Sequence, residues 1–216
     1  MKQGLFVVID GLSGSGKDTQ IWNIARDLYA RSLFEDVLVT REPWHSESGR
    51  RARKQREEDK KAGIDLRLHA DLYAQLYAED TVEHCRQEIV PARASGMHVV
   101  SNRYSRTTSP VYQPVQGASL EKVLALQRNQ DIVVPDLTIV FDIPAEVAHA
   151  RIIAYREPSS MEKPEIMREL RKGFLSLPQL YAGENIVVVN ADQPKDAVFG
   201  EMKAYLDKAW EKKYQK

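Results

Sequence analysis

The stretch Gly11-Leu12-Ser13-Gly14-Ser15-Gly16-Lys17 combines residue types and spacing that imply chemistry on phosphate. Its glycines let successive backbone N–H groups turn inward around phosphate oxygens, and its lysine adds a positive charge at the end of a flexible stem. Two glycines four residues apart and then lysine form a phosphate-binding loop only between a strand and a helix. Both are present: Leu5–Ile9 is an unbroken apolar run, and Ile21, Ile24, Ala25 and Leu28 follow at i, i+3, i+4 and i+7. The loop therefore reads as a cradle for the triphosphate of a nucleotide such as ATP. Its expected contacts are Gly11, Ser13, Gly14, Ser15, Gly16, Lys17, Asp18 and Thr19, and phosphoryl transfer is the chemistry it serves.

One residue of the loop breaks the pattern. A Ser or Thr hydroxyl normally follows the lysine and holds Mg²⁺, whereas this chain has Asp18 and then Thr19. A carboxylate is a good ligand for a hard cation, so Asp18 is the candidate metal ligand. The same carboxylate could instead cap the N-terminus of the helix, and the sequence leaves both roles open.

Further buried-strand runs, Val37–Val39, His98–Ser101, Leu137–Ile143 and Ile186–Asn190, do not alternate polar with apolar residues. Continuous runs of this kind suit strands covered on both faces. Helical patterns fill the intervals, with Leu72, Leu76, Val82 and Ile89 serving one stretch and Leu120, Val123, Leu124 and Gln127 another. Strand and helix in alternation predict an α/β fold: a five-stranded parallel sheet with helices on both faces and its site at the carboxyl ends of the strands. Arg50–Lys61, with seven basic and three acidic side chains, is expected to be a solvated helix face.

The chain has 216 residues, which fits one domain spanning 1–216. Lys plus Arg and Asp plus Glu both number 31, so no net field gathers nucleic acid or anionic lipid. No apolar run approaches the ~20 residues of a membrane span, and the first run leads into glycines rather than a cleavage site. One cysteine, Cys85, cannot form an internal disulfide. A cytoplasmic protein without nucleic-acid or membrane partners is the expectation. No two of the five histidines stand at i, i+4 around an acidic residue, which argues against a metal-hydrolase site and leaves them as surface or helix-packing residues.

From Thr40 onward the chain resembles the thymidylate kinase family of nucleoside monophosphate kinases. Thr40-Arg41-Glu42-Pro43 is followed by Gly49 and Arg53; Tyr77–His84, Arg103-Tyr104, Tyr112-Gln113, Val134-Pro135-Asp136 and Leu170–Leu177 then come in the family's order. The resemblance implies a three-layer fold of P-loop NTPase type, with ATP and Mg²⁺ as cofactors, dTMP as acceptor and a homodimer to which Ile21, Trp22 and Leu28 could contribute. It implies that Arg41 and Arg103 grip the acceptor phosphate and the phosphoryl group in flight, guanidinium forks being suited to phosphate. Tyr77 would stack on the acceptor base, Gln113 would read its edge, Arg53 would lie against base or phosphate, and Thr108 or Ser109 would take the place of a family serine. Ala150–Pro164 is the candidate lid, in which Arg156, rather than Arg151, would add transition-state charge to that of Lys17.

The chain departs from the family in four places. Ser13 replaces a carboxylate of the loop, Asn102 an aspartate before Arg103, and Thr81 an arginine that in the family commonly contacts the thymine, while one extra residue separates Tyr104 from Tyr112. These changes bear on the acceptor and the metal. Another pyrimidine nucleotide or a nucleoside is therefore the alternative acceptor, and a nucleotide-binding protein without transfer activity is the rival of another class. The loop also resembles that of adenylylsulfate kinases, which leaves Arg41-Glu42-Pro43, Tyr112-Gln113 and Leu170–Leu177 unexplained.

Overall fold

The chain was analysed as a computed structural model that describes residues 3–32 and 36–214. Its strands are β1 (Phe6–Gly11), β2 (Val37–Arg41), β3 (His98–Asn102), β4 (Leu137–Asp142) and β5 (Ile186–Asn190), all parallel in the order β2-β3-β1-β4-β5. The expected five-stranded sheet is thus present. Because side chains alternate across a strand, Val7 and Ile9 of β1 enter one core with Ile24, Leu28, Val140 and Leu206, whereas Phe6 and Val8 enter another with Cys85, Ile89, Val99 and Tyr104. Both faces are apolar and covered, which is why the sequence of β1 does not alternate.

The helices are α1 (Lys17–Arg31), α2 (Glu47–Ala62), α3 (Ala70–His84), α4 (Val90–Ala94), α5 (Ser105–Val115), α6 (Leu120–Gln127), α7 (Ala145–Ile153), α8 (Pro164–Leu180) and α9 (Lys195–Tyr214). Between α3 and α4 the chain makes a π-helical turn, Cys85–Ile89. The α1 stripe forms as expected, with Ile21, Ile24, Ala25 and Leu28 all buried. Ile21 and Leu28 are thus committed to the chain's own core, and of the three candidate dimer residues only Trp22, 60% exposed, faces outward. In α3 the buried row is Tyr73, Leu76, Tyr77, Asp80, Thr81 and His84, a face turned toward α2 and the β2 end, and Leu72 lies outside it.

Two further expectations change. The segment 150–164 named as candidate lid is not one loop: Ala150–Ile153 closes α7, and the connection to α8 carries a single 3₁₀ turn, Ser160–Glu162. Nor is α2 solvated all round, since Ser48, Gly49, Ala52 and Asp59 are buried against α3. Among the described residues no helix is long and apolar enough to cross a membrane.

Candidate active site

The parallel register brings the chemistry to one edge. Gly11 pairs with Phe141, and Arg41 with Asn102, so the loop after β1, the end of β2 and the turn after β3 lie side by side. The loop turns through Gly14 (φ 78°) and Gly16 (φ 94°), a region closed to most L-residues. Gly14 also needs to be bare, because a Cβ there would come within 2.4 Å of the Ala148 carbonyl oxygen. Lys17 opens α1, and its Nζ donates to the carbonyl oxygens of Leu12 (2.6 Å) and Gly11 (3.0 Å). Burial, followed by the nearby Arg103 guanidinium, lowers the lysine to about 7. Phosphate oxygens in the loop would oppose both effects and favour the charged form.

Asp18 does not cap α1. The N-cap is Gly16, with no side-chain cap bond, and the exposed Asp18 Oδ1 accepts instead from Asn102 Nδ2 at 2.5 Å. Asn102 Oδ1 is buried with no hydrogen-bond partner among the described residues. No group of three or more His, Cys, Asp or Glu among those residues could hold a metal ion. A Mg²⁺ ion here would therefore be held by Asp18, the Asn102 amide oxygen and phosphate oxygens, an all-oxygen donor set that suits the ion.

Two cavities meet at the loop. The larger, about 960 Å³, is lined by Ser13–Gln20, including Thr19, and by Arg41, Asn102, Arg103, Arg151, Arg156 and the turn Ala191–Lys195. The smaller, about 210 Å³, is lined by Ser13, Arg103, Arg56, Tyr77, Thr108, Tyr112, Gln113 and Glu162. Ser13, Glu42, Pro43 and Arg103 line both. Arg103 adopts φ 70°, rare for a residue with a side chain, and this turn aims its guanidinium between the cavities. The guanidinium lies 5.4 Å over the Tyr112 ring and donates to Ser13 Oγ at 3.3 Å.

Most of the expected site residues are therefore brought together. Lys17, Arg41, Arg103, Arg151 and Arg156 face the larger cavity, and Tyr77, Thr108 and Gln113 the smaller. Ser109 also lines the smaller cavity, while the Thr108 hydroxyl donates to Asp10 Oδ2 at 2.6 Å. Gln113 is buried, and its Oε1 has no partner among the described residues. Arg151 approaches Asp192 at 3.4 Å, and Arg156 forks onto Glu162 at 2.7 and 2.8 Å. Arg53 is the exception. It donates to the Trp44 carbonyl oxygen at 2.8 Å and faces a side groove with Asp18, Arg41 and His45, whereas Arg56, one turn on, reaches the Tyr77 hydroxyl at 3.2 Å in the smaller cavity.

Sequence reasoning missed three residues of the site, Asp10, Arg56 and Glu162, and the environment of a buried residue behind it, His84. Asp10 carried a signal, a carboxylate closing a buried strand just before the loop. It is fully buried and accepts from Gly11 N, Thr107 and Thr108. His84 is neither a surface residue nor a simple packing residue: it is fully buried between the carboxylates of Glu42 and Glu88.

A family model described as thymidylate kinase matches residues 9–202. The thymidylate kinase of Methylobacillus flagellatus is 30% identical over 91% of this chain and 93% of its own. A probable thymidylate kinase of Pyrococcus abyssi is 35% identical over 86% of this chain and 88% of its own, and the thymidylate kinase of Carboxydothermus hydrogenoformans 29% identical over 95% and 98%. With its phosphate loop, paired cavities and end-to-end similarity, the chain belongs to the thymidylate kinase family.

Proposed function

We propose that this chain transfers the γ-phosphoryl group of ATP to the phosphate of dTMP, giving ADP and dTDP. The observation that carries the reading is the junction of the two cavities, where Arg103 is shared and Lys17 lies at the loop on the donor side. The larger cavity suits the nucleoside triphosphate, with Arg151 and Arg156 toward its outer end. The smaller suits a nucleoside monophosphate, whose base lies among Tyr77, Arg56 and Gln113 and whose phosphate points to Arg103 and Arg41. Mg²⁺, when bound, neutralises charge on the phosphate oxygens. Lys17, Arg103 and Arg41 then offset the charge that moves during transfer, an electrostatic and positioning mechanism. Asp10 anchors this arrangement by fixing the first residues of α5.

The test is ADP formation from ATP and Mg²⁺ against a panel of nucleoside monophosphates and pyrimidine nucleosides. dTMP is expected to give the highest kcat/KM, and Lys17→Ala to lower turnover by about 10²–10³-fold with the fold intact. A different acceptor in first place would reassign the small cavity. Binding of ATP without transfer to any acceptor would favour a nucleotide-binding role.

A further inference from the structure

Outside the transfer machinery, the strongest cluster of buried charge is at the C-terminal end of α3. His84 Nδ1 lies 2.9 Å from Glu42 Oε1, and its Nε2 lies 3.0 Å from Glu88 Oε2 and 2.9 Å from Thr40 Oγ1. The indole of Trp44 is stacked on the imidazole, 5.0 Å away and 15° from parallel. Glu42 lines both cavities, and its Oε2 accepts from Thr81 Oγ1 at 3.0 Å and from the backbone N–H of Ser105 at 2.5 Å. That N–H opens α5, which begins two residues after Arg103 and carries Thr108, Tyr112 and Gln113. A chain of short contacts thus runs from His84 through Glu42 to the helix that walls the acceptor cavity.

We propose that His84 is a positioning residue for the acceptor: its imidazolium, shared between Glu42 and Glu88, fixes the Glu42 carboxylate against the start of α5 and so sets acceptor affinity. The inference rests on the acceptor reading above. A neutral imidazole carries a single N–H and cannot donate to both carboxylates, so the bridge needs the charged form. The titratable groups facing His84 are Glu42 from the β2–α2 connection, Glu88 from the π-helical turn and Asp80 from its own helix. All three carry negative charge when ionised, and His84 supplies the positive charge at their centre. Burial opposes that charge, but the hydrogen bond and charge of Glu42, then those of Glu88, prevail and raise the histidine above its ordinary value. The bridge is therefore complete below the ordinary histidine range and is lost as pH rises through the raised value.

The test compares the wild type with His84→Asn and His84→Gln. An asparagine amide occupies the Nδ1 side and keeps the bond to Glu42 without titrating; a glutamine amide reaches the Nε2 side and leaves Glu42 without its donor. The wild-type KM for dTMP should rise by about ten-fold across the titration of His84, which is followed independently by NMR of its imidazole, a fold-change matching one charge-assisted hydrogen bond. His84→Asn should hold a low KM that does not vary with pH, His84→Gln should show a high one, and the KM for ATP should move in neither. Equal acceptor KM values for Asn and Gln, or a wild-type KM that ignores the NMR titration, would overturn the proposal. Direct binding of dTMP to the wild type at low pH is measured separately. Failure there refutes the acceptor reading itself, and the inference with it.

Discussion

Asp18 and Asn102 meet at the edge of the phosphate loop, and their 2.5 Å contact gives the carboxylate after the loop lysine a donor of its own. The amide donates to the carboxylate and keeps its own oxygen unpartnered, so the pair has one net negative charge and two oxygens for a cation. Asn102→Asp would bring a second carboxylate to the same distance, where two negative charges cannot both be held without a counter-ion. The variant should therefore melt lower than the wild type in EDTA and recover that loss in Mg²⁺, as read by thermal denaturation. Asp18→Ala should raise the Mg²⁺ concentration for half-maximal activity, with no effect of EDTA on its melting temperature beyond that seen for the wild type. A loss in Asn102→Asp that Mg²⁺ does not restore would remove this pair from the metal site.

The helix α2 shows how an element can be predicted in outline and misread in orientation. Ser46 caps it by accepting from Gly49 N at 2.8 Å, and the Ser46 hydroxyl itself donates to buried Asp80 of α3. A Cβ at Gly49 would stand 2.4 Å from the Trp44 carbonyl oxygen and 2.3 Å from Asp80 Oδ1, so only glycine lets α2 approach α3 this closely. Gly49→Ala should cost about 1–3 kcal/mol, an overpacking penalty, and lower Tm by roughly 2–4 °C per kcal/mol in a chain of this size. It should also raise the KM for dTMP, because Arg56 travels with the helix; a normal KM in a destabilised variant would detach Arg56 from the acceptor. The same element marks what the sequence could show. The strands and α1 were legible because burial on both faces, or along one stripe, writes itself into apolar spacing. In α2 most residues are charged and only Ala52 and Ala62 are apolar side chains, so no apolar contrast tells Arg53 from Arg56, and the choice depends on Gly49 meeting Asp80, 31 positions away. The Glu42–His84 bridge was equally illegible, since it joins a loop to a helix end with no fixed spacing. That Ala150–Ile153 belongs to α7 was hidden because it is followed by no Gly or Pro until Pro158.

At the scale of the whole molecule, one carboxylate ties the 154–163 connection to Arg156 beside the phosphate loop. Glu162, in the 3₁₀ turn before α8, accepts from both terminal nitrogens of Arg156 and from Ser159 N, and it lines the smaller cavity together with Ser13, which accepts from Arg103. Led by the Arg156 bond, these contacts hold the carboxyl at about 2. A depressed carboxylate contributes fully above its unfolded value and is lost only as pH falls through the folded one, so the connection is intact throughout the neutral range. On the proposed function it would serve two ends that a kinase must satisfy together: keeping Arg156 at the larger cavity, and keeping the 154–163 connection close to the loop so that water is excluded from the transferring phosphoryl group. Removing the carboxylate should separate these ends from binding. Glu162→Ala is expected to bind dTMP nearly as well as the wild type, to transfer more slowly, and to raise ATP hydrolysis without acceptor roughly ten-fold relative to transfer, because water gains access where the 154–163 connection is no longer tied to Arg156. Glu162→Gln, which still accepts one bond but has lost the charge that orients Arg156, should fall between. The deciding measurement is the ratio of ADP formed without acceptor to dTDP formed with it. An unchanged ratio in Glu162→Ala would mean that Arg156 and the lid are held by the rest of the 154–163 connection, and that the carboxylate only stabilises the 3₁₀ turn.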